Sequence, residues 1–125
     1  MKNFTPEQNK NCAVMHWASI IGLAVPLGAV FGTLFTWLLK KNDGEHYDAH
    51  GKEACNFQLT LCAVNIVHVM LSGLFSLGMR GSLPLGIFFT LLMLINVAAV
   101  FYAVYMGIKA HKGAFDKYKF SYKFL

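Results

Sequence analysis

Long apolar runs alternate with short polar segments along the chain. The apolar runs cover residues 13–39, 54–79 and 84–108, and none of them contains Asp, Glu, Lys or Arg. A helix needs roughly 20 apolar residues to cross the hydrocarbon core of a bilayer, and each run exceeds that length. The pattern predicts an all-α integral membrane bundle of three transmembrane helices.

The first run has a proline near its middle. Pro26 is flanked by Gly22 and Gly28, so the first helix is expected to kink there. Trp17 and Trp37 lie near the two ends of the run, as the aromatic belts of a single span would. The alternative is a re-entrant loop that turns back at Pro26, which would reverse the side assigned to the N-terminal segment.

The polar segments predict how the spans connect. Residues 43–53 predict a short interfacial helix before the second span, and residues 80–83 are too few for anything but a tight hairpin between the second and third spans. Residues 109–125 form a basic, aromatic tail. The whole chain, residues 1–125, is predicted to be a single membrane domain.

Composition and charge exclude a soluble globule. The chain is 56% apolar and 14% charged, against roughly 25% charged residues in soluble domains. With three spans, Lys2, Lys10 and Arg80 would share one side of the membrane, and the other eight Lys residues would share the opposite side. Because cytoplasmic segments carry the excess of Lys and Arg, the N-terminus is expected outside and the C-terminus in the cytoplasm.

Polar residues follow one face of the second span. Polar groups at membrane depth either line a cavity or bond to a neighbouring helix. The residues could therefore form a seam for a substrate or partner, or they could bond to Thr90 and Asn96 of the third span. The face is formed by Gln58, Cys62, Asn65, His68, Ser72 and Ser76.

The sequence offers no catalytic set. It lacks a Ser–His–Asp order, a Gly-rich phosphate loop and any carboxylate inside the runs, and its three cysteines form no CxxC pair. No catalytic, cofactor-binding or metal-binding residue is therefore predicted, and the protein is expected not to be an enzyme. A haem held between His16 and His68 is a third and weaker hypothesis.

The tail alternates basic or polar residues with aromatic residues between Lys117 and Phe124. A segment with this period has one apolar and one basic face when extended. Contact with an anionic leaflet is the favoured interpretation. Addition as a strand to a partner's sheet and nucleic-acid binding are the alternatives. The expected partner is thus the lipid bilayer and not a nucleic acid.

The segment HGKEACNFQ, residues 50–58, resembles a signature of a bacterial family of small membrane proteins, the domain of unknown function 4870. That family is distantly similar to the twenty-kilodalton channel component of the chloroplast Tic import complex. Weaker resemblances are Met15-His16-Trp17 and the closing Ile108-Lys109-Ala110, whereas Thr33 and Ala114 depart from the family pattern. The resemblance implies a location in the bacterial cytoplasmic (inner) membrane.

These features together favour a non-enzymatic membrane protein that acts through partners, as an accessory, assembly or translocon-like component. The alternative is a small oligomeric channel or transporter unit. The partner would be another membrane protein or a second copy of the chain. The residues expected at an interface or in the polar seam are His50, Lys52, Glu53, Asn56, Gln58, Asn65, His68 and Asn96.

Overall fold

A computed structural model describes residues 4–23, 27–78 and 83–125 of the chain, and the regular secondary structure among these residues is helical, with no strand. Two α-helices precede the long pair that dominates the molecule. The elements are α1 (Pro6–Trp17), a 3₁₀ helix (Ala18–Leu23), α2 (Gly28–Lys40), a 3₁₀ turn (Lys41–Asp43), α3 (Glu45–Gly78) and α4 (Leu83–His111).

Helix α1 begins well before the first apolar run. Thr5 is its N-cap: the Thr5 hydroxyl accepts a hydrogen bond from the Gln8 backbone N–H at 3.3 Å, and the Gln8 side chain accepts one from the Thr5 backbone N–H at 2.8 Å. This reciprocal arrangement is a capping box, and Pro6 occupies the first helical position, where its missing N–H costs nothing. The polar residues 6–12 are therefore helical.

The first apolar run does not form one continuous span. A Cβ added to Gly32 would lie 2.7 Å from the Ala18 carbonyl oxygen, and one added to Gly22 would lie 2.6 Å from Ala29 Cβ. In a single straight helix, residues 18 and 32 would be about 21 Å apart. The 3₁₀ helix and α2 therefore pack against each other in opposite directions, as an N-terminal hairpin.

This hairpin changes the predicted architecture. The described residues contain two helices long and apolar enough to cross a membrane, Glu45–Gly78 and Leu85–His111, so the prediction of three spans is not confirmed. The kink predicted near Pro26 falls on residues 24–26, outside the described residues. Phe31 and Phe35 of α2 are exposed, as the outer face of a re-entrant element would be.

Helices α3 and α4 form an antiparallel pair, as predicted. Asn65 of α3 faces Asn96 of α4, and the Phe57 ring meets the Tyr102 ring edge-on at 5.6 Å. Helix α3 has 34 residues, or about 51 Å at 1.5 Å per residue, which exceeds a hydrocarbon core of about 30 Å. Of residues 43–53, predicted as a short interfacial helix, residues 45–53 form the first turns of α3 and continue without a break into the second span.

Helix α1 and the tail lie at the same end of the helix pair. Trp17 donates a hydrogen bond to the Val104 carbonyl at 3.3 Å, and Ala13 shares a buried cluster with Ala110 near the end of α4. Asn9 lies beside Gly113, just beyond α4. The expectation that the N-terminal segment and the tail lie on opposite sides is wrong. This packed end, made of α1, the end of α2 with the following 3₁₀ turn, the first turns of α3, the last turns of α4 and the tail, is termed the head.

The two tryptophans do not mark two membrane surfaces. Trp17 packs on α4 at Gly107, and Trp37 packs on α3 at Gly51 and donates a hydrogen bond to Asp48 at 3.0 Å. The hairpin returns α2 to the head, so both indoles lie there. The expected pair of aromatic belts is therefore wrong.

We expect Gly32→Ala to destabilise the protein. The new methyl group would meet the Ala18 backbone, which cannot rotate away as a side chain would. Overpacking of this kind lowers the free energy of unfolding by about 1–3 kcal/mol. The measurement is the unfolding midpoint of the purified protein in detergent, followed by tryptophan fluorescence.

Gly73→Ala is the matched control, because a Cβ at Gly73 meets nothing within 4 Å. Its midpoint should stay the same or rise slightly, since alanine favours a helix over glycine. Equal midpoints for Gly32→Ala and the wild type would contradict the hairpin.

Candidate functional site

A chain of buried polar side chains crosses the head. His16 of α1 lies between two partners: its Nδ1 is 2.9 Å from the Tyr118 hydroxyl and its Nε2 is 3.1 Å from His50 Nδ1. All three side chains are buried. These three hydrogen-bonded side chains therefore tie α1, α3 and the tail together at one point.

Burial keeps these hydrogen-bonded side chains uncharged. Burial, and secondarily the nearby His50, lowers the pKa of His16 to about 3, while burial raises the pKa of Tyr118. A neutral imidazole carries one N–H and one acceptor nitrogen. His16 can thus donate to one neighbour while accepting from the other, so both hydrogen bonds are made without a buried charge.

The Tyr118 ring anchors the tail in the head. It stacks on Phe57 with centroids 4.2 Å apart and meets the Tyr102 ring edge-on at 5.1 Å. Only 4% of Tyr118 is exposed. The neighbouring aromatic Phe120 is 81% exposed, so Tyr118 is the anchor of residues 117–124, whose other rings are exposed.

Side chains of α3 hold the tail backbone along its length. Glu53 accepts a hydrogen bond from the Tyr118 N–H at 3.3 Å, and Thr60 accepts one from the Tyr122 N–H at 2.9 Å. Asn56 Oδ1 accepts two, from the N–H groups of Phe124 and Leu125, each at 2.9 Å. The backbone of the tail thus bonds to its own chain, a contact that none of the three sequence-based interpretations included.

Most of the candidate residues in the HGKEACNFQ segment face inward. His50, Glu53 and Asn56 hold α1 and the tail as described, and Gln58 is buried beside Ser19 at a cavity of about 50 Å³. Lys52 alone among the five is directed outward, where it forms an ion pair of 2.9 Å with Asp48. The segment therefore assembles the head.

The remaining candidates lie lower on the helix pair. Asn65 and Asn96 exchange two hydrogen bonds, at 3.0 and 3.1 Å, and His68 bonds to the Phe88 carbonyl at 2.8 Å. These bonds are interhelical, one of the two interpretations left open. His68 and His16 have separate partners and lie in separate clusters.

A polar concavity opens on the outer surface of the head where α2 meets α3. It has a volume of about 530 Å³. Among residues 4–23, 27–78 and 83–125, no three His, Cys, Asp or Glu side chains are grouped to hold a metal ion, there or elsewhere. The concavity, termed the loop face, is lined by Lys41, Asn42, Gly44, Glu45 and Asp48.

Sequence reasoning missed Tyr118 and Thr60. Tyr118 is one of four aromatics in the alternating tail, and nothing local distinguishes it from Phe120 or Tyr122. Thr60 is an ordinary polar residue in an apolar run. Their roles arise from the return of the tail onto α3, which no spacing in the sequence reveals.

We expect Tyr118→Ala to release the tail. The change removes the buried ring together with its hydrogen bond to His16, and truncation of a buried aromatic costs about 3–5 kcal/mol. Trypsin should then cleave after Lys117 and Lys119 at least about tenfold faster, since 1.4 kcal/mol corresponds to a factor of ten. Mass spectrometry of timed digests measures the rates.

The matched control is Tyr122→Ala. The Tyr122 ring is exposed and its backbone N–H would still bond to Thr60, so cleavage should proceed at the wild-type rate. Equal rates for all three proteins would show that Tyr118 is not the anchor.

Comparison with known proteins yields one match and two negative results. Neither the curated proteins nor the solved structures contain a match to the chain. The model of the magnetosome magnetite crystal formation protein family matches residues 7–125. This finding overturns the resemblance to the domain of unknown function 4870 and to the Tic component, which rested mainly on nine residues. The chain therefore belongs to the magnetosome magnetite crystal formation protein family.

Proposed function

We propose that this integral membrane protein is a non-enzymatic accessory factor of magnetite crystal formation. It acts through a protein partner that binds the loop face of the head, on the cytoplasmic side of the magnetosome membrane. The family match supports a role in magnetite crystal formation. The distribution of charge supports the cytoplasmic side and the loop face.

The single observation that carries the proposal is the concentration of positive charge at the head. Of the 11 Lys and Arg residues, nine are described lysines at that end: Lys10, Lys40, Lys41, Lys52, Lys109, Lys112, Lys117, Lys119 and Lys123. The other two, Lys2 and Arg80, fall on undescribed residues. Cytoplasmic segments of membrane proteins carry the excess of Lys and Arg, so the head is assigned to the cytoplasm.

This orientation leaves little of the chain beside the mineral. At the far end of the pair α3 ends at Gly78 and α4 begins at Leu83, and four residues of the sequence join them. Four residues offer a small surface for a crystal face. An influence exerted through other proteins, from the charged head, agrees better with this distribution.

The loop face has the character of a partner surface. Its residues carry both signs of charge, and Asn42 and Glu45 are exposed. A partner with a complementary charge pattern would be selected and oriented by such a surface. His50, Glu53 and Asn56 are not available to a partner in the same way, because they form hydrogen bonds to α1 and the tail.

A channel or transporter unit has less support. Its conducting path would need the polar face of α3, but Asn65 and Asn96 bond to each other and His68 bonds to the Phe88 carbonyl. Groups that satisfy one another across the helix pair are not free to bind a solute.

We expect Glu45→Lys to impair crystal formation. In a magnetite-forming host whose own gene for this protein is deleted, wild-type protein should restore crystal diameter. Glu45→Lys should leave crystals as small as in the deletion strain, because it reverses a charge on the loop face. Electron microscopy gives the diameters, and immunoblots of isolated magnetosomes confirm equal protein levels.

Glu7→Lys is the matched control. Both glutamates lie in the first turn of a helix, so both substitutions lose the same favourable interaction with the helix N-terminus, about 0.3–1 kcal/mol. Glu7→Lys should restore wild-type crystals. Restoration by both variants, or failure of both, would contradict a role for the loop face.

We also expect the head to be accessible from outside intact magnetosomes, because their outer surface is the cytoplasmic face. In a background with Cys12, Cys55 and Cys62 replaced by alanine, a membrane-impermeant maleimide should label Lys41→Cys directly. Ser82→Cys should react only after detergent is added. The opposite result would invert the proposed orientation.

A further inference from the structure

A cleft separates the C-terminal part of α4 from the tail. It has a volume of about 520 Å³ and combines an apolar floor with a basic rim. Helix α4 contributes the floor and one lysine, and the tail contributes the other two lysines. The residues that line it include Tyr102, Tyr105, Met106, Lys109, Lys117 and Lys119.

Three contacts fix the tail beside α4 and so form the walls of the cleft. The Lys119 backbone N–H donates to the Tyr102 hydroxyl at 3.1 Å, and the Lys109 ammonium pairs with the Asp116 carboxylate. Between these two contacts the buried Tyr118 ring anchors the tail. The tail therefore keeps a defined position, and Lys117 and Lys119 lie at the edge of the cleft.

The rim carries unbalanced positive charge. Three lysines face one carboxylate, that of Asp116, which pairs with Lys109. Lys117 and Lys119 are exposed, and none of the described carboxylates forms an ion pair with either. Flexible ammonium groups of this kind bind phosphate oxygens.

The position of the cleft selects the source of the phosphate. Phe101 and Ile108, on the same stretch of α4, are exposed and suited to contact with acyl chains, while the lysines of the tail lie beyond the apolar part of the helix. The Tyr105 ring, with Lys109 5.0 Å above it, lies between the two regions. We infer that this cleft binds the phosphate of an anionic phospholipid, whose glycerol and first acyl carbons lie on the aromatic floor.

The inference can be tested on the full-length protein in detergent. Native mass spectrometry with added phosphatidylglycerol or phosphatidylcholine gives the dissociation constant for each lipid. The wild type should prefer phosphatidylglycerol. The double variant Lys117→Gln/Lys119→Gln should raise the dissociation constant for phosphatidylglycerol at least about tenfold. Each lysine near an anionic headgroup strengthens binding by a factor of about five.

The matched control is Lys112→Gln/Lys123→Gln, which removes the same charge from exposed positions of the same tail outside the cleft. It should keep the wild-type affinity within about twofold if only the cleft lysines bind the headgroup. Equal weakening by both double variants would mean general charge attraction and would overturn the site.

Inorganic phosphate distinguishes a lipid from a soluble anion. Millimolar phosphate should displace little phosphatidylglycerol from the wild type, because it cannot use the apolar floor. Displacement at concentrations equal to those of the lipid would overturn the lipid assignment and make the cleft a site for soluble phosphate. Unchanged unfolding midpoints of both double variants are expected, since the four lysines are exposed. A lowered midpoint for Lys117→Gln/Lys119→Gln alone would count against the inference.

Discussion

The close approach of two backbone segments in the N-terminal hairpin determines the arrangement of everything else. Gly22 lies against Ala29, and Gly32 against the Ala18 carbonyl, at distances that a larger side chain would prevent. Small residues permit such packing between membrane helices, where apolar surface alone gives no preference for protein over lipid. Because the segments pack in opposite directions, α2 returns to the level at which α1 began. Both α1 and the start of α3 therefore lie beside the end of α4, and the head exists.

The head also explains why α3 is longer than a bilayer requires. Its first turns are buried by protein on several sides, and the polar residues there bond to neighbouring elements: His50 to α1, Glu53 and Asn56 to the tail. Buried polar groups without partners would be costly. The HGKEACNFQ segment is thus polar because it joins three separate parts of the chain at one point, and its composition reflects assembly of the head.

The sequence predicted helix content and the α3–α4 hairpin well, because both follow from the length of the apolar runs and the shortness of residues 80–83. It did not distinguish a crossing helix from a hairpin over residues 13–39, since hydrophobicity is the same in both and the difference lies in contacts between Ala18 and Gly32. The spacing of Trp17 and Trp37 suggested one span because it suits a straight helix. The capping residues Thr5 and Gln8 were a readable signal for α1 that the apolar pattern obscured. Tyr118 had no such signal.

The hairpin also redistributes charge, and this connects the fold with the proposed function. With three spans, Lys10 would be separated from the lysines of the loop and the tail. With the hairpin, all nine described lysines lie at the head. The unequal distribution of Lys and Arg, which orients a membrane protein, therefore becomes stronger. A chain held in this way has a charged, structured end and an apolar pair with one short connection. Its capacity for specific contact is concentrated at the head, which is why the proposed function assigns the partner to that end.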